Sequence, residues 1–357
     1  MNFAVIMAGG SGTRLWPLSR QGTPKQLLEL FDGRSLLQMA FDRAAGVVGA
    51  DHVLVCAGRS YADLIRQQLP ALKANNLLSE PIGRDSLAAI AWSMATLAQR
   101  DATATVAILS ADQIIEPIDQ FQEAVRQGLS LASSDDRLLV TLGVIPTSAH
   151  TGYGYLHVGE PINTQPGAFH VAQFAEKPSV ELAQEYLQSG EWWWNSGMFC
   201  WQAATFRKQL EQLQPNMAAS IDQLVADPGA LDRIYPGLTR ISVDFAIMEP
   251  VSNGLTDGRI AVVPLTARWA DVGDFESLAD QLAGAQGNAT VGPVVTLDSR
   301  DCLLWNDGSQ ERLLVVAGLS DLIVVNSGNV TLVCPKNQAQ SVKALVDLVR
   351  PLGEQYV

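Results

Sequence analysis

Residues 3–20 read FAVIMAGGSGTRLWPLSR, and this stretch gives the first evidence for the fold class. Its first six residues form a short apolar run, which predicts a buried strand at the start of an α/β fold. Gly9, Gly10 and Gly12 follow the strand directly, and glycines let backbone N–H groups approach a phosphate closely. The sequence therefore predicts a phosphate-binding loop at the end of the first strand.

This loop differs from the two common phosphate-binding motifs. It lacks the GxxxxGK[ST] of a P-loop, and Leu15 stands where the third glycine of GxGxxG belongs. Trp16 and Pro17 prevent a helix from starting directly after the glycines. We therefore predict that the loop wraps over its ligand and presents Arg14 and Lys25 to it. The same features disfavour an oxidoreductase that uses NAD(P).

Strands and helices alternate along the chain after this loop. Apolar runs at His52–Ala57, Thr105–Ser110 and Leu138–Val144 predict strands, and the segments between them have helical patterns, one with Asp85 as its N-cap. Strands that alternate with helices favour a Rossmann-like, doubly wound sheet. After residue 146, a glycine-rich turn leads into shorter strands. We therefore predict an α/β domain with a mixed, mainly parallel sheet.

A short linker is predicted near residue 285. Residues 283–288 read AGAQGN, and such a small, polar stretch is typical of a linker. We therefore predict a catalytic domain over residues 1–283 and a small β-rich C-terminal domain over residues 289–357 that ends in a helix. The C-terminal domain has no convergent polar cluster, so we expect it to have a structural role or to form a homodimer.

The composition excludes several classes of protein. The 357 residues are 47% hydrophobic and 17% charged, which excludes a disordered, coiled-coil or collagen-like chain. The 24 Lys+Arg and 37 Asp+Glu residues give a net charge of −13, so nucleic acid and anionic membranes are not expected as partners. Four cysteines without CxxC and four histidines without a clustered motif predict no zinc or redox centre. The cysteine usage, with no signal peptide or long apolar span, favours the cytoplasm.

The loop and seven later motifs resemble the sugar-1-phosphate nucleotidylyltransferases, specifically the mannose-1-phosphate guanylyltransferases. The block GGSGTRLWPLSR with PKQ at residues 24–26 carries most of the resemblance. The other motifs follow in the order of the family: EPIGRDSLAAIA (80–91), SADQII (110–115), TGYGYL (151–156), FAEKP (174–178), WNSGMF (194–199), ISVDFAIME (241–249) and WADVGDF (269–275). The resemblance covers nearly all of the chain up to the predicted linker.

The resemblance implies a nucleotide site on the first loop and on the segment 80–84. The residues that it assigns to the nucleotide are Ala8, Gly9, Gly10, Ser11, Gly12, Thr13, Arg14, Lys25, Glu80, Pro81, Gly83 and Arg84. Lys25 is suited to neutralising a triphosphate. Glu80 is suited to guanine, whose adjacent N1–H and N2–H₂ donors both match an acceptor-only carboxylate. The alternative is that Glu80 caps a backbone or pairs with Arg84, and that backbone groups read the base.

The resemblance also implies a sugar-phosphate site later in the same domain. The residues that it assigns there are Gly154, Glu176, Lys177 and Asn195. Lys177 is suited to the phosphate, and Glu176 can accept hydrogen bonds from sugar hydroxyls. The aromatic run 192–194 favours packing in the core over stacking on a sugar.

Two aspartates are the predicted ligands of a magnesium ion. Asp112 follows the strand Thr105–Ser110, at the end where ligands bind in such sheets, and Asp271 follows Trp269-Ala270. Mg²⁺ takes one or two protein carboxylates plus substrate phosphates. The resemblance implies that Asp112 and Asp271 form this pair. The catalytic residues that it implies are Arg14, Lys25, Asp112, Lys177 and Asp271.

The reaction implied is mannose 1-phosphate + GTP → GDP-mannose + diphosphate, by in-line attack of the sugar phosphate on the α-phosphorus of GTP. A phosphate monoester has a second pKa of about 6, so the nucleophile is largely a dianion and needs no general base. Two alternatives stay open: a catalytically silent regulatory homologue that binds nucleotide sugars, and a nucleotidyltransferase for another sugar 1-phosphate. A silent homologue would be expected to lose some of the charged site residues, and all of them are present.

Overall fold

The computed structural model describes residues 1–10, 12–284, 287–307 and 312–357. Ser11, which is predicted to contact the nucleotide, lies outside the described residues, and so do residues 285–286 of the predicted linker. Within the described ranges, no helix has both the length and the apolar character that a membrane crossing requires.

Strands occur along the whole chain. In chain order they are β1 (Asn2–Ala8), β2 (Glu29–Phe31), β3 (Arg34–Ser35), β4 (Val53–Gly58), β5 (Leu77–Glu80), β6 (Thr105–Ser110), β7 (Gln113–Glu116), β8 (Leu138–Val144), β9 (Gly154–Pro161), β10 (Phe169–Glu176), β11 (Trp192–Gln202), β12 (Arg259–Pro264), β13 (Arg268–Asp271), β14 (Ala289–Val291), β15 (Val294–Leu297), β16 (Leu303–Asn306), β17 (Leu314–Ala317), β18 (Leu322–Ser327) and β19 (Val330–Pro335).

Helices separate many of these strands. In chain order they are α1 (Leu36–Val48), α2 (Ala62–Gln68), α3 (Asp85–Arg100), α4 (Ile118–Ser134), α5 (Val180–Ser189), α6 (Ala203–Leu213), α7 (Pro215–Ala226), α8 (Leu231–Ile234), α9 (Glu249–Ser252), α10 (Phe275–Leu282) and α11 (Val342–Val349). A 3₁₀ turn over Tyr235–Gly237 and a π-helical turn over Asp244–Met248 belong to the candidate site described below.

The chain forms two compact units. The first comprises Met1–Gly9, Gln38–Ala111 and Ile115–Trp269, and the second comprises Gly10–Leu37, Asp112–Ile114 and Ala270–Val357. The glycine-rich loop therefore belongs to the same unit as the C-terminal segment. The division into domains 1–283 and 289–357 stays a prediction, since compact units follow packing in space and not the order of the chain.

A mixed sheet of nine strands forms the first unit, in the order β5-β4-β1-β6-β11-β8-β12-β10-β9. The strands β5, β4, β1 and β6 are parallel, whereas β11 runs antiparallel to both β6 and β8. In register, Ala8 aligns with Ala57, and Gly58 aligns with Glu80. The carboxyl ends of β1 and β5 consequently lie at one edge of the sheet, which is where α/β sheets bind ligands.

The core of the first unit follows from the apolar patterns of its elements. Val5 and Ile6 of β1 are fully buried, as expected for a strand covered on both faces. Helix α3 buries Leu87, Ile90, Met94 and Leu97, which lie on one face at the spacing of an amphipathic helix. These residues belong to one cluster of buried side chains, apart from Ile6.

Short parallel strands form the C-terminal part of the second unit. β14, β16 and β18 pair in parallel, and β15 pairs in parallel with β17. Among the described C-terminal strands, only β18 and β19 form an antiparallel hairpin, across a turn at residues 328–329. The parallel pairs are coils of a β-helix, in which each turn stacks on the one before. Strand composition predicts β structure here but does not distinguish coils from hairpins.

The predicted fold class is confirmed. The α/β class, the mixed sheet and the β-rich C-terminal part all occur in the structure. The strands predicted at Thr105–Ser110 and Leu138–Val144 have those bounds. The strand predicted from His52 begins at Val53, because His52 ends a 3₁₀ turn.

Candidate active site

Contacts within the second unit hold the glycine-rich loop in shape. Gly12 has a φ of +60°, and a Cβ there would lie 2.7 Å from the Cβ of Lys25, so only glycine fits. The N–H of Leu15 and the hydroxyl of Ser19 donate to the Gly12 carbonyl at 3.0 and 2.6 Å. Leu15 and Trp16 are buried in the core of the unit. The loop therefore brings Lys25 against its glycines.

C-terminal residues anchor the same loop. The indole Nε1 of Trp16 donates to the carbonyl of Tyr356 at 2.6 Å. The Arg20 guanidinium donates to the side-chain oxygen of Asn329 at 3.0 Å and to the carbonyl of Gln355 at 2.9 Å. The C-terminal segment thus has a structural role in supporting this loop. A homodimer stays a prediction.

A lysine lies between two carboxylates beside the loop. The Nζ of Lys25 is 2.8 Å from Oδ2 of Asp112 and 4.0 Å from Oδ1 of Asp271. It also donates to the carbonyl of Val272 at 3.1 Å, and the N–H of Val272 donates to the carbonyl of Asp112 at 3.2 Å. Asp112 and Asp271, which are far apart in the chain, are therefore held around one ammonium group.

The cluster of Lys25, Asp112 and Asp271 has strongly coupled charges. Burial raises the pKa of Asp271 to about 6, and the charge of Asp112 adds to this rise. Burial lowers the pKa of Lys25, but Asp112 and Asp271 outweigh it, so that the net shift of this pKa is upward. Lys25 is consequently protonated at neutral pH, next to two carboxylates that repel each other. Such a pair favours the approach of a further cation.

The two carboxylates fit a magnesium ion that shares its coordination with phosphates. Among the residues that the structure describes, no group of three or more His, Cys, Asp or Glu side chains could hold a metal ion. Mg²⁺ does not require such a group, since it usually keeps several waters and binds one or two carboxylates plus substrate phosphates. Asp112 and Asp271 supply hard oxygen donors in that number.

Glu80 is buried at the end of β5 and interacts with a residue that the sequence did not suggest. Its Oε1 accepts a hydrogen bond of 2.5 Å from the hydroxyl of Tyr235, and Glu80 is only 5% exposed. Its Oε2 would lie 3.9 Å from a Cβ at Gly9. Burial raises the pKa of Glu80, whereas the hydrogen bond from Tyr235 lowers it. Tyr235 belongs to none of the recognised motifs, so no sequence signal pointed to it.

The segment after Glu80 is shaped by Arg84 and Asp85. Arg84 donates through Nη2 to the carbonyl of Pro236, and its buried Nε has no hydrogen-bond partner in the described chain. Asp85 has a φ of +64°, and its carboxylate accepts a hydrogen bond of 2.9 Å from the N–H of Ser86. The prediction of Asp85 as the N-cap of α3 is wrong by one residue, because the helix begins at Asp85 and its N-cap is Arg84, which makes no side-chain cap. Glu80 and Arg84, which could have paired with each other, each have a different partner.

Glu176 and Lys177 form an ion pair at the end of β10. The Nζ of Lys177 contacts Oε1 of Glu176, and the side chains are 57% and 8% exposed for Lys177 and Glu176 respectively. A Cβ at Gly154 on the neighbouring strand β9 would lie 2.6 Å from Oε2 of Glu176, so a larger residue there would require the Glu176 carboxylate to move. The lysine therefore offers an accessible charge above a buried carboxylate.

Asn195 has a fixed amide orientation. Its Oδ1 accepts from the hydroxyl of Thr141 at 2.9 Å and from the N–H of Gly197 at 3.2 Å. Its Nδ2 donates to Oδ1 of Asp244 at 3.0 Å. Burial raises the pKa of Asp244 to about 6, with Glu176 as the next cause. Asp244 joins this cluster through the π-helical turn. It lies in the ISVDFAIME motif, for which the sequence predicts no site residue.

Asp244→Asn is expected to stabilise the protein at neutral pH. The raised pKa means that the native state holds this proton more tightly than the unfolded chain, so the native state loses stability as pH rises from about 4 to about 6. Asparagine keeps an oxygen for the Asn195 amide and does not ionise. We expect a gain of about 1 kcal/mol at pH 7.5 that falls to about a third of that size at pH 4.5, measured by urea unfolding. An equal difference in the free energy of unfolding between variant and wild type at both pH values would contradict the raised pKa of Asp244.

The predicted site residues occur in two groups, one in each unit. The second unit contains Gly10, Gly12, Thr13, Arg14, Lys25, Asp112 and Asp271. The first unit contains Ala8, Gly9, Glu80, Pro81, Gly83, Arg84, Gly154, Glu176, Lys177 and Asn195. The role of each residue stays a prediction.

A glycine-rich loop, a lysine between two aspartates and a mixed α/β sheet together define a nucleotidyltransferase. Residues 3–286 match the family described as nucleotidyl transferase. Residues 292–348 match the mannose-phosphate isomerase/GMP-like β-helix domain. Because the first match covers more than half of the chain, the chain belongs to the nucleotidyl transferase family.

Three similar proteins indicate which group of nucleotidyltransferases the chain resembles. The chain is 34% identical to a mannose-1-phosphate guanylyltransferase of Salmonella typhimurium, over 97% of this chain and 72% of the relative. It is also 34% identical to one of Escherichia coli K12, over 98% and 74%. A crystal structure from Thermus thermophilus, described as a mannose-1-phosphate geranyltransferase, has a TM-score of 0.87 at 31% identity and covers 98% and 99% of the two chains. The resemblance to the mannose-1-phosphate guanylyltransferases is confirmed, and the protein is an enzyme of this type.

Proposed function

We propose that the protein transfers GMP from GTP to mannose 1-phosphate and releases GDP-mannose and diphosphate. The observation that carries the proposal is the cluster of Lys25, Asp112 and Asp271 beside the glycine-rich loop. This cluster combines a phosphate-neutralising cation with a carboxylate pair that suits Mg²⁺. The names of the relatives support guanine as the base of the nucleotide and mannose as the sugar of the sugar 1-phosphate.

The chain contributes positioning and charge neutralisation. The sugar phosphate is already largely a dianion at neutral pH, so its oxygen attacks the α-phosphorus of GTP without a general base. Lys25 and Arg14 neutralise the triphosphate, while the backbone of the glycine-rich loop fixes its orientation. Catalysis by positioning and charge neutralisation is typical of phosphoryl and nucleotidyl transfer, in which the protein does little covalent chemistry.

Asp112 and Asp271 are the residues that would hold Mg²⁺. A bound magnesium ion supplies neutralisation of the charge on the reacting phosphates. Lys25 keeps the two carboxylates together, because its ammonium group contacts one and lies within ion-pair distance of the other.

Lys177, Glu176 and Asn195 are proposed to bind the sugar phosphate. Lys177 is the exposed cation of this group, so it is available to a phosphate. Glu176 is held by its ion pair with Lys177, and Asn195 is held by its hydrogen bond to Asp244. Ordered acceptors and donors suit hydroxyl groups, whose recognition depends on fixed geometry.

Glu80→Gln is expected to lose the preference for GTP over ITP by about tenfold, which corresponds to ~1.4 kcal/mol. ITP lacks the N2 amine, so a carboxylate makes one contact fewer with it. The measurement is kcat/KM for GTP, ITP and ATP with the wild type and the variant. An unchanged GTP:ITP ratio would assign base recognition to the backbone and leave Glu80 a structural role.

The proposed function is tested by diphosphate release. The four nucleoside triphosphates are each combined with several sugar 1-phosphates in the presence of Mg²⁺, and reactions without sugar phosphate are the control. We expect the highest rate with GTP and mannose 1-phosphate. A higher rate with another sugar would support the alternative of a different sugar 1-phosphate. Binding of GDP-mannose without release by any pair would support a silent regulatory homologue.

The presence of all the charged residues favours catalysis over the silent alternative. Lys25 lies within ion-pair distance of Asp112 and Asp271, and Lys177 is paired with Glu176, so four of the predicted catalytic charges are in place in the described chain. A cytoplasmic location, a homodimer and the absence of nucleic-acid or membrane partners stay predictions of the sequence.

A further inference from the structure

The turn Tyr235–Gly237 is tied to the segment that begins at Glu80 by two hydrogen bonds. The Tyr235 hydroxyl donates to Oε1 of Glu80 at 2.5 Å, and Arg84 donates to the carbonyl of Pro236. The two ring systems of Tyr235 and Trp92 meet edge to face at 5.6 Å, and Tyr235 is fully buried. The turn therefore holds both ends of the segment 80–84.

Among the described residues, Tyr235 is the side chain that orients the Glu80 carboxylate. In the part of the chain that the structure describes, no other group donates a hydrogen bond to this carboxylate. The hydrogen bond occupies one lone pair of Oε1, and each carboxylate oxygen has a further acceptor site. Both oxygens thus remain able to accept from a ligand, while rotation of the carboxylate is restricted.

We propose that Tyr235 is a positioning residue for base selection, whose hydroxyl holds the Glu80 carboxylate in the orientation that accepts two adjacent N–H donors of a purine. The proposal rests on the proposed function, in which Glu80 reads the base of GTP. Nothing in the family motifs or in the names of the relatives points to this tyrosine. It follows from a contact between residues that are 155 positions apart.

The charge of Glu80 also depends on this contact. Burial raises the pKa of Glu80, and the Tyr235 hydrogen bond opposes that rise. The other titratable groups near it are the Cys56 thiol and the Tyr235 phenol, and burial followed by the charge of Glu80 raises the pKa of both, so both stay neutral. The positive charge of Arg84 partly opposes the rise in the pKa of Tyr235. Loss of the hydroxyl would therefore raise the pKa of Glu80 further and protonate it at a higher pH.

Tyr235→Phe tests the proposal, because it removes the hydroxyl and keeps the ring against Trp92. The measurement is kcat and KM for GTP and ITP between pH 6 and pH 9. We expect the GTP:ITP ratio of kcat/KM to fall about three- to tenfold at pH 7, through a higher KM for GTP and with little change in kcat. If the ratio in the variant depends on pH, it should rise with pH, because without the Tyr235 hydroxyl the pKa of Glu80 is higher. An unchanged ratio across the pH range would overturn the proposal.

Two further variants separate positioning from a general structural effect. Tyr155→Phe removes another buried hydroxyl, which donates to the carbonyl of His150 at 3.0 Å, and it should leave the GTP:ITP ratio as in the wild type. In a Glu80→Gln background, Tyr235→Phe should change the ratio no further, since the two residues act as a unit. Independent, additive losses in the double variant would overturn the proposal. The double variant has no unpaired buried carboxylate at position 80, so it also tests the proposal if Tyr235→Phe alone folds poorly.

The outcomes for the wild type distinguish this proposal from the proposed function. A wild-type enzyme that does not prefer GTP over ITP would refute guanine selection, and the role of Tyr235 with it. A wild type that prefers GTP, together with a Tyr235→Phe variant that has the same preference, would refute the role of Tyr235 alone.

Discussion

Asp112→Asn and Asp271→Asn are each expected to reduce kcat about a thousandfold, or by ~4 kcal/mol of transition-state stabilisation. Each change removes one of the two carboxylates around the Lys25 ammonium group. The amide keeps the shape of the side chain but binds a divalent cation more weakly. The reacting phosphates then keep more of their negative charge, and the barrier to attack at the α-phosphorus rises.

The measurement is a titration of each variant with Mg²⁺ at saturating substrates. We expect the Mg²⁺ concentration for half-maximal rate to rise in both. Asp257→Asn is the matched control, because Asp257 also pairs with a lysine, Lys208, but lies outside both groups of site residues. An aspartate whose substitution changes neither turnover nor metal dependence is not part of the metal site.

Lys25→Ala and Lys177→Ala are expected to produce different defects, each of about a hundredfold in kcat/KM. Lys25 is 13% exposed and neutralises two carboxylates, so its loss should lower kcat and disturb GTP binding. Lys177 is 57% exposed and pairs only with Glu176 among the described residues, so its loss should chiefly raise KM for mannose 1-phosphate. The two lysines belong to different compact units, which fits separate roles.

Measuring kcat and KM in separate titrations of GTP and mannose 1-phosphate shows whether Lys25 and Lys177 act on the same substrate or on different ones. Lys208→Ala is the control for the loss of a paired lysine at the surface, where an ion pair contributes little. If Lys25→Ala and Lys177→Ala lost the same factor for both substrates, the proposed division between nucleotide and sugar phosphate would be wrong.

The amino-acid sequence determined the elements and the family. The apolar run after Asn2 and the runs at Thr105–Ser110 and Leu138–Val144 are local patterns, and each became a buried strand. The glycine-rich loop was equally predictable, because a left-handed φ at Gly12 and the close approach of Lys25 both require glycine. Such features depend on residues that are near one another in the chain.

The tertiary structure alone decided which distant residues meet. Tyr235 reaches Glu80 across 155 positions, Asp244 reaches Asn195 across 49, and the carbonyl of Tyr356 reaches the Trp16 indole across 340. The composition of the C-terminal strands likewise left open whether they pair as hairpins or as coils. Periodicity along the chain encodes which face of an element is buried, because that depends on neighbouring residues. It does not encode the partner, since many apolar faces and polar groups are chemically equivalent until packing selects one arrangement.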